Sequence, residues 1–284
     1  MVIRLERMRT SIAWWRHVPF SLVILLLLAF GSLVVNPLLK LDPTTTNIAH
    51  QYAEPSKQHL LGTDGAGRDV FARVMAAAQV DLGIAFAASL ASVTVGTLLG
   101  AIAGYAGGRW ERVLLHVFDI WQAIPGMLLG LLTLAVTGPG IVPLISVIAV
   151  INIPVYARMV RSEMAPLRHA PLVVAARLSH VSEAKILLVY LLPRTLTSAI
   201  AYLPVQAGFS VAMAAGFGFI GLGVKPPAAE WGAMISEGIA DMLFFGAWWI
   251  PLAPGAMLAL TVFLFYRVGH WLAKKVGNGV GGAV

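Results

Sequence analysis

Long apolar runs separated by short polar or basic stretches make up most of this chain, and their lengths set the first expectation. A helix that crosses a bilayer needs about 20 mostly apolar residues. Six segments qualify: Val18 to Val35, Val80 to Tyr105, Val113 to Val136, Ile141 to Ala157, Thr195 to Val224 and Gly246 to Val268. The fifth is long enough to include a polar turn, and Pro204 is placed to kink it. The pattern therefore predicts an all-α integral membrane protein of about six transmembrane helices. It divides into a tail over residues 1–17, a first span over 18–36, a polar segment over 37–76, a core over 77–268 and a tail over 269–284.

One stretch inside the core breaks the apolar pattern. Residues 158–194 are basic and polar, and the part from Ala170 to Leu192 has helical spacing: Leu172 to Leu178, then Ser182 to Leu191, parted by Ser179-His180-Val181. Leu172, Val173 and Ala176 on the first piece, and Ile186, Leu187, Val189 and Tyr190 on the second, give each an apolar side beside Arg177 and Lys185. An amphipathic hairpin between spans needs a protein partner or the lipid surface to cover it.

Composition agrees with the membrane reading. The 284 residues are 58% hydrophobic and 12% charged, with mean hydropathy +0.82, too apolar for a soluble globule with a solvated exterior. Cysteine is absent, so disulfides, thiolate nucleophiles and Cys-ligated metal are excluded. The net charge of +7 is accounted for by loop residues rather than by nucleic-acid binding. One alternating set of loops holds Arg4, Arg7, Arg9, Arg16, Arg109, Arg112, Arg158, Arg161, Arg168, Arg177, Lys185, Arg194, Arg267, Lys274 and Lys275. The other holds Lys40, Lys57, Arg68, Arg73 and Lys225. That bias predicts both termini in the cytoplasm and 37–76 outside it. Trp14, Trp15, Trp110, Trp231, Trp248, Trp249 and Trp271 fall near span ends, where the headgroup region suits an indole, whereas Trp121 lies within a span.

Several local patterns suggest chemistry, and each has a plainer explanation. Gly96, Gly100, Gly104 and Gly108 recur at four-residue spacing and predict a close-packing ridge. Gly216-x-Gly218-x-x-Gly221 matches the dinucleotide fingerprint only formally, because it lies in an apolar span without a βαβ unit; a close-packed or locally unwound helix is expected. No phosphate-binding Gly-x-x-x-x-Gly-Lys-Ser/Thr occurs, so any ATP must be bound by another chain. Arg112, His116 and Asp119 share a face of the third span and predict a structural ion-pair cluster. Asp81 is expected at the outer mouth of the second span, within reach of water. Ser210 is a candidate nucleophile only if a base faces it, and a packing serine is expected. In the polar segment, Asp64 is a candidate helix N-cap, and Asp69 and Arg73 are spaced for an ion pair.

Three separated stretches together resemble the C-type permease subunit of bacterial dipeptide, oligopeptide and nickel ABC importers. The family's cytoplasmic loop, Glu-Ala-Ala, three residues, Gly, nine residues, Ile-x-Leu-Pro, is similar to Val174-Ala175-Ala176, His180 and Tyr190-Leu191-Leu192-Pro193. Val174, His180 and Tyr190 depart from it, and a Gly at the turn would matter if positive φ is required there. His59 to Val70 resembles the family's His-Pro-Leu-Gly-Thr-Asp-x-x-Gly-Arg-Asp stretch, with Leu60 in place of Pro. Phe219 to Pro227 followed by Glu230-Trp231-Gly232 resembles its Phe-Leu-Gly-Leu-Gly-x-x-Pro-Pro-x-x-x-Trp-Gly segment.

The resemblance implies a type I ABC importer permease in the bacterial cell membrane. A second homologous permease, two cytoplasmic ATPases that carry the ATP and Mg, an extracytoplasmic binding protein and membrane lipid would be its partners, with no cofactor on this chain and no catalysis by it. It implies ATPase coupling through the 170–193 hairpin, at Ala175, Ala176, Arg177, His180, Leu192 and Pro193. It also implies outer-face or pathway contacts at Asp64, Gly67, Arg68, Asp69, Pro226, Pro227 and Trp231. Peptide is the implied cargo, and an ion-gradient-driven secondary transporter working without ATPases is the alternative reading.

Overall fold

The computed structural model describes residues 19–280; the side chains of 277–280 are not described. The basic tail with Arg4, Arg7, Arg9, Trp14, Trp15 and Arg16, and the first residue of the expected first span, Val18, lie outside these residues. Nine helices make up most of the described residues: α1 Phe20–Leu39, α2 Val70–Ala106, α3 Gly108–Ala123, α4 Gly126–Thr137, α5 Ile141–Leu167, α6 Pro171–Leu178, α7 Glu183–Phe219, α8 Trp231–Phe245 and α9 Trp249–Val280. Five of them, α1, α2, α5, α7 and α9, are long and apolar enough to cross a membrane.

α2 is the central post. It packs most extensively on α5 and also against α1, α7, α8 and α9. Its buried face is built from small residues, among them Ala77, Ala78, Ala85, Ala88, Ser89, Ser92, Gly96, Gly100 and Gly104. In hydrocarbon there is no hydrophobic drive between helices, so packing depends on how closely the backbones approach. A Cβ at Gly96 would lie 2.6 Å from Tyr156 Cβ, one at Gly104 would lie 2.8 Å from Met164 Cβ, and one at Gly100 would collide with the Ala157 carbonyl. Three of the four glycines thus form the expected ridge. Gly108 does not; it has φ 61 and begins α3 with open space around it, because α2 has already ended at the left-handed Gly107.

The expected third span, Val113 to Val136, is corrected to two helices. α3 and α4 meet at an 80° bend. The cause is local: the ring of Pro125 excludes helical geometry at the preceding residue, and Ile124 takes φ −86, ψ 123. The second hairpin helix is also corrected. It does not stop at Leu191 but continues through the fifth span as one helix to Phe219. Pro193 supplies no N–H to the carbonyl four residues before it, and the backbone meets this with a π-helical stretch over Ile186–Leu191 instead of ending. The left-handed Gly221, φ 81, follows the end of α7.

Three buried clusters stack along the bundle. Val70, Val74, Trp231, Met234, Trp249 and Ile250 lie at the end carrying the 40–69 segment, here called the loop end. Ile84, Leu134, Leu144, Ile148 and Phe217 fill the middle. Tyr156, Val160, Met164, Val173, Ile186 and Leu191 tie α6 and the start of α7 to α2 and α5 at the hairpin end.

Replacing Gly100 by Leu will force α2 away from α5. Overpacking of this kind costs about 1–3 kcal/mol or more, so the melting temperature in detergent is expected to fall clearly. Gly83→Ala, where a Cβ meets nothing within 4 Å, is expected to leave it unchanged or raise it.

Candidate functional site

At the loop end the chain folds back on itself before α2 starts. Asp64 accepts bonds from Ala66 N and Arg68 N, both at 2.9 Å, and its other oxygen pairs with Arg68 Nε at 2.7 Å and Arg73 Nε at 3.5 Å. The helix cap is Asp69, which accepts from Ala72 N at 2.9 Å and also pairs with His59 Nδ1 at 2.8 Å. The expected roles of the two aspartates are therefore exchanged. Asp64 is a loop organiser, Asp69 is the N-cap, and Arg73 pairs with Asp64 instead of Asp69. The physical reason is the short return of the chain, in which Thr63 faces Asp69 in a single bridge and leaves Asp69 next to the first turn. Gly67 has φ 70, and a Cβ there would collide with the Asn47 carbonyl.

Trp231 is corrected from an outer-face contact to an internal anchor. It has no exposed surface; its Nε1 donates to Val74 O at 3.1 Å and its N–H to Asp81 Oδ2 at 3.0 Å. Asp81 is likewise fully buried and not at a wet mouth, because α2 starts at Val70 and runs 11 residues, roughly 16 Å, before reaching it. Next to them Glu230 caps α8, accepting from Gly232 N at 2.7 Å and Ala233 N at 3.0 Å. Burial pushes the Glu230 carboxyl up, against the pull of those two N–H groups. A Cβ at Gly218 would collide with the Glu230 carboxylate, so of the glycine run Gly218 is closely packed as expected, whereas Gly221 has open space around it and serves the turn after α7. Pro226 and Pro227 are exposed, while Arg68 and Asp69 are half-buried.

At the hairpin end the turn is drawn tight. His180 has φ 58, so the position does require the left-handed conformation that glycine adopts freely. Arg177 pairs with Glu183 across the turn, Nε to Oε1 at 2.9 Å, and reaches Tyr105 Oη at 3.3 Å; Tyr105 in turn bonds Glu183. The Glu183 carboxylate and the Tyr105 hydroxyl favour the charged guanidinium and raise Arg177 further. Val173 is buried under α6, Ala176 and Leu192 are half-buried against the same cluster, and Leu172, Val174, Ala175, Leu178 and Pro193 are exposed. Glu111 pairs with Arg161 and lies 3.6 Å from Arg168. The expected Arg112, His116 and Asp119 cluster does not form. Asp119 pairs with Arg158 of α5 at 3.1 Å and Arg112 turns back to Gly108 O at 3.4 Å, since α5 lies within reach of this face.

Between these ends the bend at Pro125 opens a cavity of about 690 Å³ bounded by α3, α4, α5 and α7. Trp121, Gln122, Met127, Asn152, Gln206 and Phe209 are among its walls, a set of residues no local motif marked beforehand. Beside it Ser210 meets Ser89 Oγ and Asn152 Nδ2, both at 3.2 Å, and donates to Gln206 O at 2.9 Å. Its partners are hydroxyl, carboxamide and main chain, so it packs helices together and is not poised as a nucleophile.

A bundle of membrane-length helices around a central post, with a bent helix pair opening a cavity and a hairpin projecting at one end, defines a multi-pass helical membrane protein. Residues 96–278 match the family described as binding-protein-dependent transport system inner membrane component. The chain belongs to that family, and is thus a non-catalytic permease subunit of an ATP-driven importer. Relatives named "Glutathione transport system permease protein GsiD" in Escherichia coli O6:K15:H31 (strain 536 / UPEC) and Shigella boydii serotype 4 (strain Sb227) are each 38% identical over 218 residues, 77% of this chain and 71% of theirs. A solved structure, of inward-facing conformations of the MetNI methionine ABC transporter, shares the fold with TM-score 0.55 and 19% identity, over 69% of this chain and 93% of that one.

The buried and exposed tryptophans give a contrast that can be measured. Trp231→Ala is expected to cost about 3–5 kcal/mol and lower the melting temperature in detergent sharply. Trp248→Ala, at a side chain 55% exposed, should change it little.

Proposed function

We propose that this chain is one of two permeases in an importer of small peptides, with its hairpin and both termini in the cytoplasm and its loop end facing an extracytoplasmic binding protein. Two ATPases, carrying the ATP and Mg, would dock on the hairpin at Ala175 and Arg177 and on the exposed apolar side chains around them. Ala176, His180, Leu192 and Pro193 would shape and support that surface, His180 through its left-handed turn and Leu192 through the cluster beneath α6. The half-buried Arg68 and Asp69 and the exposed Pro226 and Pro227 are the loop-end residues placed to meet the binding protein, with Asp64 and Gly67 holding the loop in shape.

The observation that carries this reading is the continuity of α7. Its 37 residues, about 55 Å of helix, begin at the hairpin and end beyond the cavity. A partner that moves the hairpin therefore pulls directly on a wall of the cavity, which is what an energy-coupled permease needs. The peptide class is supported by the relatives' name, since glutathione is itself a small peptide.

The docking surface is tested at Leu178, which is 77% exposed and supports nothing beneath it. Leu178→Glu is expected to insert and melt like the wild type in detergent while losing co-purification of the ATPases and most ATP-driven uptake. Unchanged ATPase recovery with full uptake would overturn the assignment of the hairpin, and uptake driven by an ion gradient with no ATPase present would restore the secondary-transporter reading.

A further inference from the structure

The cavity at the Pro125 bend has a chemistry that its walls do not need for their own packing. Among the residues lining it there is no acidic, basic or histidine side chain; the walls are apolar apart from Trp121, Tyr202 and three carboxamides, Gln122, Asn152 and Gln206. Asn152 is committed to Ser210. The other two carboxamides are not committed. Gln206 is only 4% exposed, yet no group among the described residues bonds its side chain; only its main-chain oxygen is used, by Ser210. Gln122, on α3, is exposed and also without a partner. The Trp121 Nε1–H is also unbonded, but it is buried out of reach of any occupant.

Buried polar groups are nearly always bonded, and a group left without a partner inside a membrane protein is costly. Gln206 is such a group, and with the exposed, unbonded Gln122 it lines one space whose occupant can supply the missing partners. Lipid tails cannot, having neither donors nor acceptors. A carboxamide offers one acceptor and two donors, the complement of a peptide unit, whose N–H and C=O both require a partner. Neutral walls set no preference for the charge of a passing side chain, and the apolar surfaces of Met127, Ile151 and Phe209 accept side chains of varied shape.

We propose that this cavity is a peptide subsite in which Gln122 and Gln206 bond the main-chain amides of the cargo, reading its backbone and not its side chains. The assignment rests on the peptide-importer reading above. It makes Gln122 and Gln206 binding residues of the translocation step, contributed by α3 and α7.

The test uses the complete transporter with its binding protein in proteoliposomes, comparing initial ATP-driven uptake of trialanine with that of trialanine methylated at both peptide nitrogens. The binding protein is the same throughout, so its own preference cancels between variants. Gln206→Leu, and separately Gln122→Leu at an exposed position that the fold does not need, should slow trialanine roughly tenfold while leaving the methylated peptide nearly unchanged. ATP hydrolysis stimulated by the loaded binding protein should persist. If both variants keep the wild-type ratio between the two peptides, the subsite is overturned while the importer reading stands. If the wild-type complex imports no peptide under ATP, the importer-of-peptides reading falls and takes the subsite with it.

Discussion

The close approach of α2 to α5 is the constraint on which the other elements depend. Helices in lipid gain little from hiding apolar surface, and their association comes from dispersion contacts that fade within an ångström of separation. Gly96, Gly100 and Gly104 let the α5 backbone seat directly against α2 at Ile153, Ala157 and Arg161. With that seam closed, α5 presents Ile151, Asn152 and Val155 to the cavity and holds Arg158 and Arg161 where Asp119 and Glu111 of α3 meet them. α3 has little else to hold it, since most of its surface is exposed and only Glu111 and Phe118 are buried. The position of the bent pair, and hence the width of the cavity, follows from the α2–α5 seam.

Polar groups pin the two ends of the bundle in different ways. At the loop end they are buried and tied to main-chain groups: an indole to a carbonyl, a carboxylate to an N–H, a carboxylate capping a helix. Removing one member of such a set leaves the other buried and unbonded, a loss of about 1–3 kcal/mol, so this end is built to stay as it is. At the hairpin end the Arg177–Glu183 pair is exposed, and solvent screening leaves an exposed ion pair little to contribute to stability. The apolar contacts of Val173, Ile186 and Leu191 carry that end, and the ion pair chiefly sets the direction of the turn.

The elements with strong local signals were legible in the sequence, and those fixed by distant partners were not. Apolar run length located the membrane-length helices, and four-residue glycine spacing located the seam. The wide apolar run from Val113 to Val136 concealed a bend although Ile124-Pro125-Gly126 announces one; the run satisfied a length rule, and the proline's effect on its neighbour was the stronger constraint. Asp64 and Asp69 exchanged roles because capping depends on how the preceding loop returns, which spacing alone does not encode. Trp231 looked like an interfacial residue because its partners, Asp81 and Val74, lie 150 and 157 residues away. Gln122 and Gln206 carried no signal at all, for a lone glutamine in an apolar run becomes informative only when its surroundings show that nothing bonds it.

α7 joins the two ends, and its irregularities decide how. The π-helical stretch at Ile186–Leu191 and Pro204 each weaken the regular hydrogen-bond ladder, so the segment between them is bounded by the two softest points of the helix. Gln206 stands just past the second, and Ser210, one turn further, is tied to Ser89 of α2 and Asn152 of α5. A force on the hairpin thus enters α7 through the π-helical stretch, passes along the helix to Pro204 and meets, beyond it, a residue clamped to the central post. Gln206 stands in the turn between Pro204 and that clamp, which places the cavity wall at the joint between the part of α7 on the hairpin side and the part tied to the α2–α5 seam.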